Sequence, residues 1–149
     1  MSRYARMFER LDRREEAAFG AFLMLGDPDL KTSAELLDAL VEGGADMVEV
    51  GIPFSDPVAD GPAIQAAAQR ALKAGVRVRD CFDLMAAFRE RHAEVPIGIL
   101  TYANLVMARP GFMREAGNAG ADSLLIADLP ALQAEPYVRE MEQSGIQPV

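Results

Sequence analysis

Three carboxylates stand close together in EVGIPFSDPVADGP, the segment from Glu49 to Pro62. Glu49 lies inside an apolar run, DMVEVGI, and Asp56 and Asp60 follow on a proline-rich stretch. A carboxyl group in apolar surroundings loses solvation of its charged form, so its pKa rises toward the working pH and it can donate and take back a proton. Two readings stand for Glu49: an acid/base group, or a buried glutamate held by an arginine or a backbone donor for structural reasons. Asp60 directly precedes the helical stretch GPAIQAAAQRALKAG, with Pro62 at an early helical position, so capping that helix is a sufficient account of it. Asp56, just before Pro57, suits an ordinary turn.

The elements that must hold these groups follow from an alternating pattern. Apolar runs suited to strands occur at AFLMLG (21–26), DMVEVGI (46–52), PIGILTYA (96–103) and DSLLIADL (122–129), and QPV (147–149) begins another. A helical segment follows each of the first four. TSAELLDALVEGGA carries a capping box at Thr32 and Glu35 and an apolar stripe of Leu36, Leu37, Leu40 and Val41. Two helical stretches divided by Gly75 follow the second strand, and the last two helices read over 111–118 and 132–144, the latter apolar at Leu132, Tyr137, Val138 and Met141.

Strands alternating with helices predict a parallel sheet covered by helices, either an open doubly wound sheet or part of a (β/α)8 TIM barrel. The dinucleotide glycine signature is missing after the first strand, where LGDPDL stands, and this favours the barrel. The expected fold is therefore the first four βα units of such a barrel plus the start of strand 5, as a single domain over residues 1–149. Along the second strand Val48, Val50 and Ile52 share one face and Glu49 takes the other. If the valine face meets the helices, Glu49 points inward, with Phe22, Met24, Leu100, Tyr102, Leu125 and Ala127 as inward neighbours. That makes an apolar well around a carboxyl group near the C-terminal end of a strand, the end where barrel enzymes build their sites.

Composition narrows the partners. A net charge of −8 and no lysine or arginine cluster disfavour nucleic acid and anionic lipid, which leaves a small molecule or a protein. Cys81 is the only cysteine, so neither an internal disulfide nor a cysteine metal cluster is available and no metal site is expected. The N-terminal stretch is too charged for a secretory apolar region and no run approaches the length of a membrane span, so a cytoplasmic location is expected. His92 at a helix end and Cys81 within a helix both read as structural.

The segment EVGIPFSDPVADGP resembles the signature of the tryptophan synthase alpha subunit family, which reads E-L-G-x-P-x-S-D-P-x-A-D-G-P around its catalytic glutamate. LGDP at 25–28, GGAD at 43–46, YANLV at 102–106 and ADLP at 127–130 match in the same order, so the resemblance covers the whole chain. It implies a carbon–carbon lyase of tryptophan biosynthesis that cleaves indole-3-glycerol phosphate to indole and glyceraldehyde 3-phosphate by a retro-aldol reaction. By the same resemblance Glu49 matches the general acid/base and Asp60 the carboxylate that meets the indole ring nitrogen. Phe22, Ile64, Leu100, Tyr102 and Leu125 match positions lining the indole pocket. Pro53, Asp56, Pro57 and Asn104 match positions that contact a beta subunit in an alpha2beta2 assembly. No cofactor is implied for this chain, since pyridoxal phosphate belongs to the beta subunit.

Met24 and Thr101 depart from the family pattern in minor ways, and the extent of the chain departs in a larger one. The family continues for four more βα units, which carry a flexible loop after the sixth strand and a glycine-rich phosphate site after the seventh and eighth. No glycine-rich loop opening a helix replaces that site here. Three functions are therefore weighed: the alpha subunit itself, with these 149 residues not competent alone; a non-catalytic half-barrel module that binds the beta subunit or self-associates; and a different aldolase-like barrel enzyme sharing only the framework.

Overall fold

The structure is a computed structural model describing residues 1–149. Helix α1 (Arg3–Asp12) precedes strand β1 (Gly20–Met24), helix α2 (Leu30–Glu42) and strand β2 (Met47–Gly51). Helices α3 (Pro62–Lys73) and α4 (Val78–Arg91) lead to strand β3 (Ile97–Thr101). Short helices α5 (Ala103–Met107) and α6 (Phe112–Asn118) precede strand β4 (Ser123–Ile126). A 3-10 turn (Ala131–Gln133), helix α7 (Glu135–Gln143) and strand β5 (Gln147–Pro148) complete the chain.

All five strands are parallel and lie in sequence order, β1-β2-β3-β4-β5. A doubly wound sheet reverses strand order at a switch point, so this order is that of a barrel wall, as expected. Val48, Val50, Ile97, Ile99, Leu124 and Ile126 are buried on one face, in one core with Leu37, Met85, Phe88, Phe112 and Met113 from the helices. The valine face of β2 thus meets the helices as the alternation predicts. The ladders are one to three residues shorter at their C-terminal ends than the apolar runs, because residues such as Leu25 and Ile52 continue buried after strand pairing stops.

Several helix boundaries differ from expectation for local reasons. Asp29, not Thr32, caps α2: its Oδ1 accepts the Thr32 backbone N–H at 2.8 Å and its Oδ2 the Thr32 hydroxyl at 3.0 Å. The helix therefore starts three residues earlier than a Thr32 cap would allow, and Thr32 serves the Asp29 carboxylate instead. Ser33, Leu37, Leu40 and Val41 form its inner stripe, and Leu36, off that stripe, is 40% exposed. Leu132 is fully exposed in the 3-10 turn, because α7 begins only at Glu135, with Pro136 in its first turn. Met141 is the buried residue of that helix.

Helix α1 was legible only as a charged stretch, yet it closes the end of the sheet where the strands begin. Ser2 caps it, and Met7 and Leu11, four residues apart, are its buried pair. Arg3 reaches the Asp122 carboxylate at 2.9 Å and Arg10 reaches Asp46 at 2.8 Å. Asp122, 8% exposed, also accepts from Arg89 at 2.8 Å and from the Ile97 backbone N–H at 2.9 Å.

Strands β1 and β5 are the two ends of an open sheet and leave unpaired backbone groups. A polypeptide of residues 1–149 is accordingly expected to self-associate through these edges and the uncovered inner face. Light scattering after size exclusion checks this, and a monodisperse monomer would run against it.

Candidate active site

The strand register brings the inward residues into rows. Phe22 pairs with Glu49, Glu49 with Gly98, Gly98 with Ser123 and Ser123 with Gln147, so these five positions cross the inner face at one level. One level nearer the C-terminal ends, Met24 pairs with Gly51, Gly51 with Leu100 and Leu100 with Leu125. The lower row opens into a cleft of about 990 Å³ whose lining includes Tyr4, Phe22, Glu49, Gly98 and Ser123.

Two glycines make this face passable. A Cβ at Gly98 would stand 2.9 Å from Ser123 Oγ and 3.1 Å from the Tyr4 hydroxyl, and one at Gly51 would stand 2.8 Å from the Phe22 ring and 2.9 Å from Met24 Cε. Glycine at 98 thus lets Tyr4, rising from α1, bring its hydroxyl to 2.9 Å from Ser123 Oγ beside Glu49. Glycine at 51 lets Phe22 and Met24 lie across β2, where Ile64, Ala67 and Ala68 of α3 pack with them. Phe22 and Ile64 therefore pack against one apolar cluster.

The enclosed apolar well expected around Glu49 is not formed. Glu49 is exposed on the cleft, and its neighbour on the β3 side is a glycine with two hydroxyls beyond it rather than a hydrocarbon wall. Leu100 and Leu125 are half-buried one level above. Asp60 does not cap α3: Gly61 holds the cap position without a side-chain bond, and Asp60 is engaged through its backbone, its N–H donating to the Pro57 carbonyl at 3.1 Å and its carbonyl accepting from Gln65 Nε2 at 2.8 Å. Its carboxylate is left half-buried and uncommitted to the helix.

Tyr102 is 2% exposed and lies under the loop between β2 and α3 instead of lining the cleft that Glu49 borders. Its ring meets Phe54 with centroids 5.3 Å apart, and its oxygen accepts the Ala59 N–H at 3.2 Å. Burial pushes the Tyr102 phenol up, the Ala59 N–H opposes this, and the Asp60 carboxylate, by its charge and by hydrogen bonding with the phenol, adds to it together with the Asp128 charge. Burial also raises the Tyr4 phenol; the Ser123 hydroxyl opposes the shift and the charges of Asp122 and Glu49 reinforce it.

Among the four positions matched to a partner surface, Asp56 and Asn104 are exposed, Pro57 is half-buried and Pro53 is buried. Asp56 accepts a hydrogen bond from the Ser55 hydroxyl. Pro53 is thus placed to shape the loop from beneath. Gly98 and Ser123 share the inward parity of Leu100 and Leu125, so carrying the same alternation two residues back along each strand would have found them. Tyr4 sits on a helix the alternation of strands does not announce. No three His, Cys, Asp or Glu side chains converge as a metal site would need, and no helix is long and apolar enough to cross a membrane.

Five parallel strands in sequence order, with helices packed on one face and an acid facing the other from the second strand, define part of a (β/α)8 barrel wall. The family model described as tryptophan synthase alpha chain matches residues 8–149, and the chain belongs to that family. It is 49% identical over 152 aligned residues to the tryptophan synthase alpha chain of Edwardsiella ictaluri (strain 93-146), covering 100% of this chain and 56% of that relative. Tryptophan synthase subunit alpha from Legionella pneumophila str. Paris superposes with a TM-score of 0.95 at 33% identity, over 99% of this chain and 57% of that one. A chain of the tryptophan synthase complex from Pyrococcus furiosus gives 0.84 at 38% identity, over 89% of this chain and 55% of its own length. The chain thus spans just over half the length of the relatives it matches.

Gly98→Ala is expected to force the Tyr4 and Ser123 hydroxyls apart and to lower stability by about 1–3 kcal/mol, the usual cost of overpacking, as read by chemical denaturation. Spectrophotometric titration should show Tyr4 and Tyr102 ionising above the ordinary tyrosine value of about 10, with Tyr4→Phe and Tyr102→Phe each removing one late component. The folded state holds these protons more tightly than the unfolded chain. Their contribution to stability is therefore complete below the unfolded value and is lost as pH rises through the raised ones.

Proposed function

We propose that the full-length protein is a tryptophan synthase alpha subunit, a lyase that cleaves indole-3-glycerol phosphate into indole and glyceraldehyde 3-phosphate. The observation that carries this reading is Glu49 on the cleft face of β2, paired in register with Phe22 and followed on the same chain by the uncapped Asp60. In this reading Glu49 protonates the indole ring carbon that bears the glycerol phosphate chain. Positive charge then develops at the ring nitrogen, where the Asp60 carboxylate offsets it. Loss of the hydroxyl proton from the adjacent carbon forms the aldehyde as the carbon–carbon bond breaks and its electron pair returns to the ring. A group that gives one proton and accepts another suits a general acid/base.

Phe22, Ile64, Leu100, Leu125 and Tyr102 are proposed to bound the indole ring. The first four supply apolar surface on the inner face and Tyr102 shapes the loop above it. Asp56, Pro57 and Asn104, with Pro53 beneath them, are proposed to meet a beta subunit in an alpha2beta2 assembly. Asp56 supports this by its exposure on the loop that follows β2, and Asn104 by its exposure in the first turn of α5, directly after β3. Pyridoxal phosphate, in this reading, belongs to the beta subunit. The substrate phosphate has no glycine-rich helix entrance among residues 1–149, so its anchor is assigned to other parts of the full-length protein.

Indole release from indole-3-glycerol phosphate, measured on the full-length protein with equimolar beta subunit beside Glu49→Gln, tests the assignment. Glu49→Gln is expected to cut kcat by about 10²–10⁴-fold, the range general acid–base groups supply, with a much smaller change in KM. Retained activity in the variant would remove Glu49 from the chemistry.

A further inference from the structure

The loop between β2 and α3 carries two of the three carboxylates, yet little in its own sequence holds it to the fold. Between residues 53 and 59 its hydrogen bonds stay within the segment, from the Ser55 hydroxyl to Asp56 and from Val58 N–H to the Asp56 carbonyl, or join Pro57 to Asp60 at its end. One bond alone leaves it for a distant part of the chain: the Ala59 N–H donated to the Tyr102 hydroxyl oxygen, across 43 residues. Val58 beside it is 80% exposed, so packing does not fix the tip.

Tyr102 is well held at its own root. It is the residue before α5, and the next backbone N–H, that of Ala103, donates to Asp128 Oδ1 at 2.7 Å. Its ring is 2% exposed and packed against Phe54, a second point on the same loop. The phenol oxygen is therefore fixed by β3 and β4, while the amide it accepts belongs to the residue directly before Asp60.

We propose that Tyr102 is a positioning residue: its buried phenol latches the Ala59 amide and so sets where the Asp60 carboxylate stands over the inner face. Its consequence for catalysis rests on the function proposed above, whereas the latch itself does not. The phenol keeps its proton well past neutral pH because burial raises it, so the group stays an uncharged acceptor throughout the working range. A carboxylate that must meet charge developing in a transition state gains its effect from being held in place beforehand, so a looser loop should cost turnover more than binding.

Tyr102→Phe in the full-length protein keeps the ring and its contact with Phe54 and removes the hydroxyl that accepts from Ala59 and lies beside the Asp60 carboxylate. Amide hydrogen exchange should show the Ala59 N–H exchanging about tenfold faster in the variant, the size that loss of one net hydrogen bond produces, with the amides of β3 unchanged. In the indole-release assay the variant should lose about tenfold in kcat with KM held within about twofold. Unchanged exchange at Ala59 would overturn the latch, and faster exchange with unchanged kcat would overturn its role in placing Asp60. If the unsubstituted protein releases no indole, the functional reading fails, and the exchange comparison still decides the latch.

Discussion

Everything about the candidate site depends on the register of the parallel ladder from β1 to β4. Side chains alternate with period two along a strand, so a slip of one residue in any pairing would turn Glu49 into the helix layer and bring Val48 or Val50 onto the cleft. The helix-facing valines, isoleucines and leucines forbid that slip, because each is buried on that side and would be exposed by it. Roughly 25 cal/mol per Å² of apolar area stands behind each of these positions. The acid is held in place by hydrophobic residues it never touches.

The end of the sheet away from the site is held differently. Asp122 at the start of β4 gathers Arg3, Arg89 and a backbone N–H from β3 around one carboxylate. Arg89 in turn donates to the carbonyls of Val95 and Gly120, tying α4 to the loops that feed β3 and β4. Buried charge is costly unless it is paired; here the pairing joins four chain segments and leaves Arg89 Nε buried without a partner. The opposite ends of the strands carry the segments that bear Asp56, Asp60 and Asn104, with an Arg70–Asp27 ion pair at 2.7 Å after β1. In βα barrels generally, stability is built at the N-terminal face of the strands and sites at the C-terminal face.

Glycine and tyrosine divide the work between these layers. Gly98 and Gly51 supply empty space where a side chain would block the inner face, and Tyr4 and Phe22 occupy it. Tyr102 does the reverse at the top of β3, filling space beneath an otherwise weakly tied loop. In each case a side chain is placed by a neighbour whose contribution is geometric.

Much of this was legible in the sequence. Alternation along DMVEVGI set which side of β2 Glu49 takes, helix and strand periodicities set the order of elements, and the absence of a dinucleotide glycine fingerprint separated barrel from doubly wound sheet. These are local properties, decided by which neighbours i, i+2 and i+4 are apolar. The cap at Asp29, the exposure of Leu36 and Leu132, the free Asp60 carboxylate and helix α1 were decided by competition between nearby groups that a residue pattern does not rank. The polar surroundings of Glu49 and the Ala59–Tyr102 bond required the tertiary structure, because they join residues 43 or more positions apart. Sequence determined which residues could face one another; only the register and packing of the whole sheet decided which of them do.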